Sequence, residues 1–323
     1  MPLPTQEDVH VNELLTEIAV AFIQSDEKFV ATKVFPRVGV MKQTGLFAQF
    51  DRGDFMRPEM KIRRPMTESA GGGYRVTTTS SYACDVWSLH KDVSNQEKAN
   101  QSDPFNADKN AATYLAMQDL LTREAQFATN FFTTGLWTGS TTGTDLAAGT
   151  DFTAWDNVAS TPIEDVNDQM AEVESNTGQL PNVLVINRRS WFGLKNHPDI
   201  VDRIKHVSKE SITTDMVANL MELERILVSG GASNTAGEGL TATTDYQIGN
   251  HALLAYAAPN PDPFGPSAGY TFAWDGLEGG SDAVRIDTFP MAHLKGERHE
   301  IESAWQQKVV SAICGVFYSN VVS

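Results

Sequence analysis

The sequence predicts an α+β protein of two units, with the first unit built from both ends of the chain. Three patterns predict it: a long helical stripe from about Pro104 to Phe132, a half-buried strand from Tyr74 to His90, and an apolar strand pattern from Arg298 to Val322 at the end. Free chain ends are usually polar and loose, so an apolar end reads as a strand tied into a sheet. Pairing that strand with Tyr74–His90 beside the helix makes Thr161–Phe289 an insertion. The length of 323 residues also favours two cores over one.

Taken in order, the elements begin with an acidic stretch in which Leu14, Ile18 and Ala21 or Phe22 fall on one helical stripe. From Lys42 to Pro65 the charge reverses: Lys42, Arg52, Arg57, Lys61, Arg63 and Arg64 outnumber Asp51, Asp54 and Glu59. This polar stretch has no sustained period and ends near Gly71–Gly73, so it reads as an extended excursion. In the following strand Tyr74, Val76, Tyr82, Cys84 and Val86 share one parity and Arg75, Thr77, Thr79, Ser81 and Asp85 the other. Trp87 and Leu89 break that parity, as burial on both sides or a bulge would.

The helix is expected to start at Asp103 as cap and Pro104 as first residue. Tyr114, Met117, Leu121, Ala125, Ala128 and Phe132 recur along it at three- and four-residue spacing as its expected apolar stripe, with Leu120, Phe127 and Phe131 beside them. At 1.5 Å per residue it runs to roughly 40 Å, a spine for a sheet to pack on. The Thr- and Gly-rich stretch Gly135–Gly149 ends it. A helix then covers Pro162–Ser175, closed by Gly178. Pro181-Asn-Val-Leu-Val-Ile-Asn is a short, continuously apolar strand suited to a sheet centre. Helical patterns at Arg188–Asn196, Ile200–Ile204 and from Thr213 or Thr214 lead into a strand at Glu224–Ser229. A turn-rich insertion at Gly230–Gly239, a strand at His251–Tyr256 and an irregular Pro259–Gly269 follow. The last strands are Ala283–Phe289 and Arg298–Val322.

Charge and composition narrow the function. Twenty-five Lys and Arg against 41 Asp and Glu give a net charge of −16. A chain so acidic is unsuited to gripping nucleic acid, which takes concentrated positive charge. The two cysteines, Cys84 and Cys314, form neither a disulfide framework nor a metal pattern and read as reduced, buried thiols. No signal peptide or bilayer-length apolar run is present.

Catalytic patterns fail in turn, and no catalytic, cofactor or metal residue is assigned. The seven histidines are scattered, and His197 and His206 with Asp199 and Asp202 read as surface polar residues. Gly230–Gly239 lacks a phosphate-loop ending, and no Gly-x-Ser-x-Gly elbow exists. Glu172 with Glu174 and Glu222 with Glu224 are spaced too closely to face each other on a helix. The basic Arg52–Arg64 stretch fits pairing with the acidic surface of a neighbouring copy, where opposite charges set register.

The long helix after a glycine-flanked strand, the segment Pro181-Asn-Val-Leu-Val-Ile-Asn-Arg-Arg-Ser-Trp-Phe-Gly-Leu-Lys-Asn-His-Pro-Asp-Ile-Val-Asp-Arg-Ile-Lys, and the closing Trp305-Gln-Gln-Lys-Val-Val-Ser-Ala-Ile-Cys-Gly-Val-Phe-Tyr-Ser-Asn-Val-Val resemble the major capsid proteins of tailed double-stranded DNA bacteriophages. The resemblance spans the whole chain in order of elements. It implies the Hong Kong-97-type fold: an N-terminal arm over 1–41, an extended loop over 42–73, a peripheral domain over 74–160 and 285–323, and an axial domain over 161–284. It implies self-assembly into pentamers and hexamers of an icosahedral head enclosing DNA without sequence-specific binding. Assembly in the bacterial cytoplasm around a portal, with a separate scaffolding protein, and expansion of a precursor shell on maturation are likewise implied. A decoration protein is compatible with the chain, and no membrane partner is expected. With no long charged helical prefix before the arm-like stretch, a separate scaffold or a prefix already cut is expected, and Met1 favours the former. Lys42, Lys61 and Asn320 are present, but nothing selects them for an isopeptide crosslink. Loop contacts between subunits are assigned to Arg52, Arg57, Arg63 and Arg64, and contacts about the axes to Pro259–Tyr270.

Three rivals stand beside this reading. An encapsulin-type nanocompartment shell shares the fold but encloses cargo enzymes. An enzyme with an α/β core would show a concave polar pocket. A tail tube or adaptor protein would be β-rich without so long a helix.

Overall fold

Two five-stranded sheets and one 25-residue helix that packs on both organise the molecule. The structure, a computed structural model, describes residues 24–101, 106–204, 212–237, 239–261, 265–276 and 284–322. The expected N-terminal helix lies outside these residues. The helices are α1 (Ala31–Val34), α2 (Arg52–Phe55), α3 (Asn95–Asn100), α4 (Ala107–Phe131), α5 (Pro162–Thr177), α6 (Arg188–Lys195), α7 (Pro198–Ile204) and α8 (Thr214–Leu220).

The first sheet is arranged about β13 (Gly296–Val309). Strand β4 (Asp85–Ser94) runs antiparallel along one edge. On the other edge lie β12 (Val284–Met291) and, further along, β11 (Gly269–Trp274). Trp305 is opposite both Ala273 and Asp85, which fixes β11 and β4 on opposite sides of β13. Strand β1 (Arg37–Val40) adds to β11 in parallel. The second sheet has the order β5 (Leu146–Ala147), β14 (Gly315–Ser319), β10 (Ala252–Ala255), β6 (Val183–Asn187), β7 (Arg225–Ser229). Two hairpins complete the set: β2 (Thr44–Phe50) with β3 (Val76–Ala83), and β8 (Ala232–Asn234) with β9 (Thr244–Tyr246).

The second sheet is covered on both faces, which is why β6 is apolar without alternation. Leu184, Ile186, Leu254 and Tyr318 face α5–α8 through Ile163, Val166, Leu194 and Val217. Val183, Val185, Leu253 and Phe317 face Phe127 and Phe131 of α4, with Val30, Val34 and Phe35 beside them. The rest of α4 lies on the first sheet. There Arg123 pairs with Asp119 at 2.8 Å and sits over the Trp305 ring, Ser303 donates to Asp119, and Trp87 stacks on Trp305. The spine helix thus holds the two sheets in one relation.

Several expectations change. The Tyr74–His90 strand is two strands broken at Cys84, whose N–H donates to the Gln43 carbonyl. Tyr82 and Cys84 turn inward as expected; Val86 is exposed because the parity carries over from one sheet to another, and Val76 because it lies at the outer end of the β2–β3 hairpin, where its flanking residues are exposed too. The spine starts at Ala107, capped by the Asn106 side chain; Asp103 and Pro104 lie outside the described residues. Its buried residues are Ala111, Leu115, Arg123, Glu124, Phe127 and Phe131: the face turns toward the flanking Phe127 and Phe131 rather than centring on Ala125, Ala128 and Phe132, and Tyr114 is half exposed. Apolar residues circle most of this helix, so its phase is set by tertiary partners that hold two charged side chains inside. The strands β1, β2 and β11 and the first helix α1 were not anticipated.

The final Arg298–Val322 pattern is also two strands. β13 pairs with β4 beside α4, as the discontinuous first unit requires, whereas β14 crosses into the second sheet. Conversely, β11 lies within the 161–284 stretch yet pairs with β13. The crossing at Ser311–Gly315 is tight: the Gly139 N–H donates to the Gly315 carbonyl, and a methyl added at Gly315 would run into the Trp137 ring. Gly315 has an ordinary extended φ of −141°, so its need for glycine is steric. Gly315→Ala should lower unfolding stability by about 1–3 kcal/mol through overpacking, as measured by chemical denaturation.

Candidate assembly surface

The chain's most exposed excursion grows from the β2–β3 hairpin. Its root is packed on the first sheet: Tyr82 stacks on Phe272 at 4.9 Å, Phe47 lies 5.6 Å from the same ring, and the Gln49 side chain donates to the Val310 carbonyl at 2.8 Å. Further out, Phe50, Phe55 and Tyr74 form a three-ring cluster with centroids 5.2–5.8 Å apart. Asp51 caps α2 by accepting from Gly53 N–H. Arg75 closes the neck of the loop, pairing with Asp51 and donating to Asp54 from both its backbone N–H and its side chain.

Beyond that neck every residue from Met56 to Gly73 is exposed. Met60, Ile62 and Met66 are as open as in an isolated chain, at 101%, 99% and 102%. Methionines and an isoleucine held in water beside cations are the composition of a surface made to be covered.

The four arginines assigned to subunit contacts differ in position. Arg52 donates to the Asn176 carbonyl at 2.6 Å, at the C-terminal end of α5, so within one chain it ties the loop's root to the second unit. Arg63 donates to the Thr67 carbonyl and shapes the tip turn, with Thr67 bonded back to Arg64. Arg57, Arg63 and Arg64 make no ion pair among the described residues. The sequence thus brought together a basic tip, but its first arginine belongs to the root. Of Pro259–Tyr270, Pro259, Asn260 and Pro261 are exposed, while Ser267–Tyr270 is buried at the start of β11.

Elsewhere the polar clusters are structural. His197 is buried, contrary to its reading as a surface residue: its Nε2 lies 3.0 Å from both the Asn157 carbonyl and the Ser160 hydroxyl, and its Nδ1 accepts from Asp199 N–H. His206 lies outside the described residues. Asp108, Glu297 and His299 converge with metal-like spacing, a grouping no sequence pattern signalled because α4 and β13, far apart in the chain, supply it. Lys98 already stands among them, its Nζ 2.8 Å from both carboxylates, and His299 bridges Thr288 and Asp108. The resident cation is a lysine. It holds the Asp108 carboxyl below its usual range, and its own titration is pushed up in return.

A recess of about 240 Å³ between α5 and β14 is lined by Thr141, Asp151, Asp165, Asp168, Gln169 and Tyr318. Burial raises the Asp165 carboxyl, but that group already accepts from the Trp155 indole, and the Tyr318 hydroxyl donates to the Asp165 backbone carbonyl. No nucleophile–base pair lines it. Among the described residues no helix is long and apolar enough to cross a membrane.

The chain is 26% identical over 317 residues to the major capsid protein of Pseudomonas phage JBD67, covering 96% of each chain. It is 24% identical over 277 residues to the major capsid protein of Burkholderia phage BcepMu, covering 81% of this chain and 82% of that one. Among solved structures, a phage-related protein from Bordetella bronchiseptica RB50 superposes with a TM-score of 0.67 at 19% identity, covering 92% of this chain and 94% of that one. The capsid of cyanophage P-SCSP1u gives 0.63 at 12% identity, covering 93% and 90%. The holo-SrpI encapsulin of Synechococcus elongatus PCC 7942 gives 0.58 at 10% identity, covering 100% and 98%. No family model matches the chain.

The neck of the loop yields a test. The Arg75 hydrogen bonds lower the Asp54 carboxyl below its ordinary 3.8, so the contact is present above that value and is lost only as pH falls through the depressed one. Asp54→Asn should therefore speed proteolytic nicking of the 52–75 loop several-fold at neutral pH. Wild-type nicking should not accelerate between pH 7 and pH 5, as read by mass spectrometry of the fragments.

Proposed function

We propose, for a chain that has the phage capsid fold and is similar along nearly its full length to phage major capsid proteins, that it builds the shell of a tailed-phage head. It is a structural protein and not an enzyme. The observation that carries the shell reading is the near-complete, collinear similarity to the capsid protein of Pseudomonas phage JBD67. The open Met60–Ile62–Met66 tip supports it from geometry, because such side chains are satisfied only by another surface.

In this reading copies associate as pentamers and hexamers of an icosahedral shell, and residues 42–73 lie over the adjacent subunit. The apolar tip supplies contact area, and Arg57, Arg63 and Arg64 meet acidic groups of a chain whose net charge is −16. The same acidity suits a wall that faces packed DNA without adsorbing it. Residues 1–41 serve as the arm, 74–160 with 285–323 as the peripheral domain and 161–284 as the axial domain, with β11 and β14 exchanged between the two sheets. Assembly around a portal with a separate scaffold in the bacterial cytoplasm, and expansion on maturation, complete the reading.

A nanocompartment shell is the second reading, since an encapsulin superposes over the whole chain. Arg63→Glu with Arg64→Glu should abolish closed shells, or reduce them at least about tenfold by count in negative-stain electron microscopy, while circular dichroism of the chain stays unchanged. Normal shell yield from this variant would remove the loop from the assembly contacts. Shells tens of nanometres across filled with DNA, against shells filled with protein, separate the two readings.

A further inference from the structure

Glu124 is the least exposed carboxylate-bearing side chain in the described core: its residue is 0% accessible, on the stripe of α4 that carries Phe127 and Phe131. One oxygen, Oε2, accepts from the backbone N–H groups of Val30 at 3.0 Å and Ala31 at 2.9 Å, which open helix α1. The other, Oε1, accepts from the Ser229 hydroxyl at 2.6 Å, at the end of β7. One side chain therefore joins three places nearly or more than a hundred residues apart in sequence.

The surrounding attachment is neutral and dense. Gln24 exchanges two hydrogen bonds with Ala232, and Gly230 N–H donates to the Lys28 carbonyl. Gly231 brings its backbone against the Glu124 stem and the Phe29 ring. None of the neighbouring cations pairs with the carboxylate. Lys33 on α1, the charge that acts on it most, donates to the Asp26 carbonyl. Lys28 of the turn Asp26–Lys28 lies along Gly230. Arg225 of β7 donates to the Val34 carbonyl, and Arg123 of α4 is held by Asp119 under Trp305. Asp26 and Glu27 on that turn are exposed and add no compensating charge.

A carboxylate buried on neutral donors alone carries an uncompensated desolvation cost. The three hydrogen bonds do not need the charge. With a proton on Oε1, Oε2 still accepts from Val30 and Ala31, and the new O–H donates to the Ser229 oxygen. We propose that Glu124 is a proton-controlled latch at the root of the N-terminal segment: its negative charge keeps Gln24–Phe35 releasable from the spine helix and β7, and protonation fastens it. The inference rests on these contacts and not on the shell reading; if that reading holds, the latch sits where an arm would hinge between two packings.

The direction of the pH effect is fixed by linkage. Burial raises the Glu124 carboxyl above its ordinary 4.5. The folded chain then holds a proton that the released segment gives up, so attachment strengthens as pH falls through the raised value and is complete below the ordinary one. Hydrogen–deuterium exchange of the full, unassembled chain tests this, with the 24–36 peptide normalised for intrinsic rate. Protection of that peptide should rise several-fold from pH 7.5 to pH 5. In Glu124→Gln, whose oxygen and amide group occupy the places of Oε2 and Oε1, protection should be at least that of wild type at pH 7.5 and flat with pH. Wild-type protection that falls or stays level on acidification overturns the latch, as does an equal pH response in the variant. The wild-type profile decides alone if the variant does not fold.

Discussion

Strand β13 is the constraint on which the rest of the fold hangs. Its 14 residues carry β4 on one edge and both β12 and β11 on the other, so every main-chain group along most of its length is committed to the sheet. That commitment joins residues 85–94, 269–274 and 284–291 through one late segment, and the first unit cannot close until the end of the chain arrives. The inward face of β13 sets how α4 lies: Ser303, Trp305 and Gln307 meet Asp119, Arg123 and Asn130. Five residues later the same chain, as β14, becomes an inner strand of the second sheet. The relation between the sheets is thus fixed twice, once by α4 and once by the covalent step from Val309 to Gly315.

The pinned body contrasts with the β2–β3 excursion. Aromatic packing and buried polar pairs hold the body. The β2–β3 excursion is anchored by Phe272, Val310 and Arg75 up to its neck, and beyond it nothing among the described residues covers it. Individual surface ion pairs contribute little, about 0–1 kcal/mol each. In the shell proposed above, arginines at such a tip act through repetition over many equivalent contacts and through register, while area comes from Met60, Ile62 and Met66.

Much of this frame was legible in the sequence because its signals are local. Val183–Asn187 reads as a central strand from its unbroken apolar run, Gly178 closes α5 in the left-handed conformation, and the basic excursion stands out by charge. What was hidden depends on partners. The parity of Tyr74–Val86 runs unbroken through Cys84, although the chain there leaves one strand partner for another. The apolar stripe of α4 was centred on Leu121, Ala125 and Ala128, whereas the buried face is centred on the flanking Phe127 and Phe131, because Leu120, Leu121 and Met117 offer apolar surface on either side of it. Arg52 looks like its basic neighbours until Asn176, 124 residues away, is seen to hold it. The Lys98–Asp108–Glu297–His299 cluster has no linear signature at all.

Glu124 shows how such a hidden feature differs from an error of packing. Position 124 falls in step with Leu120, Phe127 and Phe131, where helical periodicity calls for an apolar side chain. A leucine there would bury more apolar surface and carry no desolvation cost, but it would leave Val30 N–H, Ala31 N–H and the Ser229 hydroxyl without acceptors in a closed interior. A glutamine would satisfy them without charge. The carboxylate alone combines satisfied donors with a cost that can be relieved by a proton or by departure of the segment it holds. A buried charge of this kind adds little to net stability, so what it contributes is a second accessible state at one chosen joint of an otherwise over-determined body.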